Sequence, residues 1–205
     1  MKSCCENKSA ELEMLRAEQG KILKIVLLIN AVMFVVEFTM GWRARSSALM
    51  ADSLDMFGDA LVYGFSLYVL NKSQQWRATA ALMKGIIITA FGLIVLAEVG
   101  FKLFSDIIPA AHTMGFIGAL ALLANLVCLQ LLMKHRNDDL NMKSTYICSR
   151  NDIISNIGVL VAAIVVNFTQ SKWPDIVIGL IIACLFLRSA FPIISESLAE
   201  LKSAN

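Results

Sequence analysis

Six apolar stretches run along the chain, separated by short polar ones. They fall at 22–41, 47–70, 79–103, 114–133, 145–168 and 175–195. About twenty apolar residues wound as a helix span roughly 30 Å, the hydrocarbon thickness of a bilayer. The pattern therefore predicts an all-α polytopic membrane protein with six transmembrane helices. The connections are short, and only WRARSS separates the first two stretches. Neighbouring helices are thus expected as antiparallel hairpins. Residues 1–21 read as a polar tail or short amphipathic helix, 22–198 as the membrane domain and 199–205 as a short C-terminal tail. No soluble C-terminal domain is expected.

Composition supports this division. Hydrophobic residues make up 58% of the 205 and charged residues 17%, against about 25% charged in a soluble domain. A net charge of +2 gives no basic field for nucleic acid. The cysteines are odd in number, and two of the five lie in apolar runs, so no disulfide framework is expected. The first twenty residues are polar and the first apolar run is too long for a signal-peptide core. With the N-terminus inside, the inner segments hold ten basic residues: Lys2, Lys8, Arg16, Lys21, Lys72, Arg77, Lys134, Arg136, Lys143 and Lys202. The outer segments hold four: Arg43, Arg45, Lys102 and Lys172. That bias predicts both termini in the cytoplasm.

The second stretch breaks the apolar pattern. MADSLDMFGDA, residues 50–60, places Asp52, Asp55 and Asp59 inside a predicted span. Asp55 and Asp59 are four apart, so both carboxylates share a helix face, with Asp52 one turn earlier on the same stripe. A carboxylate at a bilayer centre costs about 2.5–3.5 kcal/mol on insertion scales. Three on one stripe point to the holding and release of a cation. The fifth stretch opens TYICSRNDIISN, where Cys148 and Asp152 are again four apart and Asn156 four further. Two helices with two ligands each supply four donors, the number Zn²⁺ prefers, with Cd²⁺ similar but softer. Asp52, Asn151 and Asn156 are candidates for supporting these ligands or lining the way in.

Blander readings stand beside this one. Cys148 alone fits a small buried hydrophobe, and Asp152 could pair with Arg150 or cap a helix start. A bare proton relay is another use of intramembrane acids. Asn30, Glu37, Glu98, Asn125, Asp175 and Arg188 each read first as packing or interfacial residues. Cys4, Cys5 and Glu6 form a possible metal-capturing tail, or a frayed terminus with two thiols. The apolar run of the fifth stretch begins only after Asp152. The two pairs share a layer only if that helix extends inward, or if a watery cavity opens from the cytoplasm.

These residues resemble the cation diffusion facilitator family. NAVMFVVEFTMGW is similar to that family's Asn and Glu placement in its first span. SSALMADSLDMFGDA resembles its Ser-x-Ala-Leu-x-x-Asp-x-x-(His/Asp)-x-x-x-Asp signature. DDLNMKSTYICSRND resembles its Leu-Asn … (His/Asp)-x-x-x-Asp pattern, and WPDIVIGLIIACLFL the start of its sixth span. Glu98 falls where the family often carries an acid. The resemblance implies a transport site of Asp55, Asp59, Cys148 and Asp152, a homodimer, and export of divalent metal from the cytoplasm in exchange for protons. In this sequence Cys148 stands where the family has His or Asp, which tilts the expectation toward Zn²⁺ and Cd²⁺. The family's cytoplasmic domain after the sixth span and the His-rich loop of some members are not matched.

The expectation is a heavy-metal exporter of the bacterial inner membrane, with no resident cofactor. The alternative is a metal-binding membrane sensor or subunit that does not transport. No Ser/His pair or His-Glu-x-x-His motif supports an enzyme.

Overall fold

The computed structural model describes residues 4–69, 74–135 and 140–203. Inside the helices, the side chains of 4–17, 65–69, 74–78 and 140–145 and of a few single positions, among them Lys84, Cys148 and Asn151, fall outside the description. Six helices follow in order: α1 Cys4–Ala44, α2 Ser47–Val69, α3 Gln74–Leu103, α4 Ala111–Met133, α5 Leu140–Thr169 and α6 Trp173–Ser203. No strand occurs among the described residues.

Five of the six helices are long and apolar enough to cross a membrane. The exception is α2, where Asp52, Asp55 and Asp59 fall in every window of the required length. The exposed side chains are those lipid would meet. Leu28, Val32 and Val35 of α1, Phe116 and Leu123 of α4, and Phe168 of α5 all face outward. Asn30, Glu37, Asp52, Asn125 and Asn156 turn inward instead. That inside-out partition is what a bilayer solvent selects, and the chain is an integral membrane protein.

Two helices run further than hydropathy predicts. α1 is continuous from Cys4, so the polar tail and first span form one rod. Its early residues are mostly Glu, Lys, Ala, Leu, Met and Gln, all good helix formers without a proline. α5 starts at Leu140 and places Asp152 about three turns inside the helix. Inward extension of the fifth helix is one of the two ways in which the pairs could share a layer, and it is the form α5 takes.

The α1–α2 turn shows how tightly the hairpins close. Arg45 takes a left-handed φ of 53°. Its N–H donates to Trp42 O at 3.2 Å, and Ser46 N–H donates to Gly41 O at 2.9 Å. That is a Schellman ending built on Arg in place of Gly. Ser46 then caps the next helix at once, accepting from Leu49 N–H at 3.1 Å. Gln170, with φ 49°, ends α5 in the related way by donating to Val166 O at 2.8 Å.

Packing makes a closed ring of four helices: α1 on α2, α2 on α5, α5 on α4 and α4 on α1. α3 and α6 form a separate tight pair that leans on α2. A Cβ on Gly92 would stand 2.4 Å from Leu187, and one on Gly85 would stand 2.5 Å from Ile194, so these glycines let α3 and α6 close. α2 touches α1, α3, α5 and α6, and residues 46–54 are buried without interruption. The most acid-rich span is therefore the most enclosed.

Candidate cation site

α2 and α5 are neighbours in the ring, and their polar residues meet level by level. Asn156 Nδ2 donates to both oxygens of Asp52, at 3.2 and 3.0 Å, and to the Asp152 carbonyl at 2.9 Å. Asn125 of α4 steadies Asn156 with a weak contact of 3.5 Å to its Oδ1. One level on, Asp55 is a hydrogen-bond partner of Ser155. At the next, the Asp59 and Asp152 carboxyls lie within hydrogen-bonding reach of each other. Residue numbers rise along α2 as they fall along α5, the signature of antiparallel helices. Two carboxyls that close need something positive between them, a proton or a metal ion.

The stripe is almost wholly enclosed. Asp52, Asp59, Asp152 and Asn156 are buried and Asp55 is half-buried. Asp152 Oδ2 has no hydrogen-bond partner among the described residues. Among the described residues no lysine or arginine forms an ion pair with Asp52, Asp55 or Asp152. Desolvated like charges repel strongly, and a divalent ion answers several at once.

The predicted ligands Asp55, Asp59 and Asp152 are thus brought to one layer. Among the described residues no three His, Cys, Asp or Glu side chains converge tightly enough to grip a metal. Cys148 sits one turn before Asp152 on α5, but its side chain falls outside the described ones. The same holds for Asn151 and for Cys4, Cys5 and Glu6 at the start of α1. Asp52 and Asn156, expected as supports, bond directly to each other.

Two features lie beyond the sequence reading. The first is Glu37 of α1, read as a packing residue. It is fully buried, and it faces the carboxylates of Asp52, Asp55 and Asp152. Neither of its oxygens has a hydrogen-bond donor among the described residues. Its signal in the sequence was its place in mid-span with no basic residue one turn away.

The second is a polar lock at the Ser46 end of the bundle. Asp175, in the first turn of α6, accepts from Ser46 Oγ at 2.5 Å, Ser47 N–H at 2.8 Å and Ala48 N–H at 3.2 Å. Lys102 of α3 pairs with it at 2.5 Å and also donates to the Arg45 carbonyl. Asp175, Lys102, Ser46, Ser47 and Ala48 are all buried. The carboxylate takes the orphan N–H groups and the positive dipole end of α2. Gly179 lets α6 come this close, since a Cβ there would stand 2.7 Å from the Ser47 carbonyl carbon.

Comparison with known proteins agrees with this architecture. Residues 23–202 match the family model described as the cation efflux transmembrane domain. The chain is 23% identical over 188 residues to the metal cation efflux system protein CzcD of Cupriavidus metallidurans, covering 86% of this chain and 60% of that protein. It is 27% identical over 195 residues to the zinc transporter ZitB of Yersinia pestis, covering 89% and 62%. A third relative is the cadmium, cobalt and zinc/H(+)-K(+) antiporter of Bacillus subtilis, 26% identical over 195 residues, with 85% and 62% covered. The chain spans about three-fifths of the length of these relatives. The family match covers nearly the whole helical bundle, and on that ground the chain belongs to the cation efflux family.

Proposed function

We propose that this protein exports a divalent heavy-metal cation, Zn²⁺ or Cd²⁺, from the cytoplasm in exchange for protons. The observation that carries the proposal is the facing of Asp55 and Asp59 on α2 by Asp152 on α5, buried together inside a membrane bundle with the Asp59 and Asp152 carboxyls within hydrogen-bonding reach. Cys148, one turn from Asp152, is the proposed fourth ligand, and its thiolate favours soft ions over hard ones. The relatives named as zinc transporter and as cadmium, cobalt and zinc antiporter support the substrate class.

Exchange follows from competition for the same oxygens. A metal ion or protons neutralise the carboxylates, and the bare acidic site is costly to carry through a low-dielectric bundle. Movement of the helices then delivers metal outward and returns with protons. The lysine and arginine bias places both termini in the cytoplasm, which makes the Ser46 end the outer one. A homodimer in the bacterial inner membrane is the proposed assembly, on the family resemblance.

The test is Zn²⁺ and Cd²⁺ flux into proteoliposomes under a pH gradient. The wild-type chain should accumulate metal above its binding stoichiometry. Asp59→Ala should lose that accumulation, and Cys148→Ser should shift the preference away from Cd²⁺. Stoichiometric binding with no accumulation would replace the transporter by a metal-binding sensor or subunit.

A further inference from the structure

α1 forms a wall of the acidic layer, and its register against α2 is set by the two-residue turn at Arg45 and Ser46. Met33 and Met56 pack in one cluster and Glu37 faces Asp52. In both pairs the residue numbers rise on one helix as they fall on the other. The same register sets Asn30 level with Asp59. Asn30 and Glu37 are seven apart, hence on one face. Both are buried, and Asn30 Oδ1 and both Glu37 oxygens are without hydrogen-bond donors among the described residues.

A fully buried carboxylate aimed at other carboxylates has no structural use for its charge. It caps no helix and forms no ion pair among the described residues, unlike Asp175, and the group within its hydrogen-bonding reach is another acid, the Asp52 carboxyl. A cation would satisfy it. Asp52 is already oriented for one, because Asn156 Nδ2 holds its two oxygens from the α5 side. We infer that Glu37 and Asp52 form a second holding position for the transported divalent cation, on the Ser46 side of the Asp55, Asp59 and Asp152 layer. The inference rests on the transport reading above. The two positions differ in chemistry. The first has a thiolate within a turn, whereas the second offers only carboxylate oxygen and water. Oxygen donors hold Zn²⁺ and Cd²⁺ less tightly than a thiolate does. A weaker position further along the path lets an ion leave a tight one, as multi-site conduction requires.

The experiment counts Cd²⁺ bound at equilibrium to the full chain in nanodiscs, in a Cys4→Ser, Cys5→Ser background that removes the tail thiols. The parent chain should take up a tight equivalent and a weaker second one. Glu37→Gln, which keeps the shape and removes the charge, should lose the weak equivalent and keep the tight one. Its Zn²⁺ flux in vesicles should fall by at least about tenfold. Asp52→Asn should do the same, which covers the case of a Glu37 variant that fails to fold. A single equivalent on the parent chain would overturn the inference. So would Glu37→Gln binding and moving metal as the parent does, or changing flux with both equivalents intact. Failure of the transport reading shows differently, as a parent chain that binds Cd²⁺ without moving metal, and the count of equivalents still decides for Glu37.

Discussion

Asp175 and Asp55 are the same side chain in the same bundle, and their surroundings treat them in opposite ways. Asp175 receives a lysine, a serine hydroxyl and two backbone N–H groups, all buried with it. Asp55 receives Ser155 and stands among Asp59, Asp152 and Glu37. The lock at the Ser46 end answers one negative charge completely. The acidic stripe between α1, α2 and α5 gathers five carboxyls, and those of Asp59 and Asp152 come within hydrogen-bonding reach of each other. A carboxylate supplied with every partner it can use is a joint between helices. One set among other acids in a low-dielectric bundle is costly to keep charged, and on the proposed function a cation meets that cost.

The sharpest way to break this contrast is to take the cation from the lock. Lys102→Met leaves Asp175 buried beside helix ends with its main partner gone, at an expected loss of about 3–5 kcal/mol. Thermal unfolding in detergent should show a large fall in melting temperature. The double variant Lys102→Met, Asp175→Leu should recover most of it, because removing both charges removes the unpaired one. A Lys102→Met chain as stable as wild type would mean that the lock is no joint.

A smaller loss is expected inside the layer itself. Asn156→Ala deprives Asp52 of its donor from α5, and hydrogen bonds to a charged group contribute about 1.5–3 kcal/mol. The same unfolding assay should place it between wild type and Lys102→Met. A fall as large as that of Lys102→Met would show that α5 holds α2 as firmly as α3 and α6 do.

The smallest effect on stability belongs to the most disabling substitution. Asp55→Asn keeps the shape and relieves repulsion, so its melting temperature should equal or exceed that of wild type. Metal flux should be lost all the same. If Asp55→Asn instead destabilised the bundle as Lys102→Met does, the two regions would be alike and the contrast would fail.

Much of this was legible along the chain. The bilayer fixes the length of a span, so six apolar stretches gave six helices. The i, i+4 spacing of Asp55 with Asp59 survives in any helix, so their shared face needed no tertiary knowledge. The start of α5 was not legible from hydropathy. Its first turns, Leu140 to Arg150, are polar enough to resemble a connection, and the helix there is a matter of backbone geometry. The place of Glu37 was also hidden, because its level against Asp52 depends on how few residues close the α1–α2 turn. Lys102 was read as one more basic residue in an outer segment. It is instead a buried partner of Asp175, 73 positions away in the chain.

By itself, the sequence determined the solvent of this protein, the number of its helices and the shared helix face of the acids on α2. These follow from local periodicity and from the price of charge in lipid, both written in consecutive residues. Only the tertiary structure decided which acids are answered and which are left open. That outcome depends on what reaches a carboxylate from three other helices, and distance through space has no fixed relation to distance along the chain.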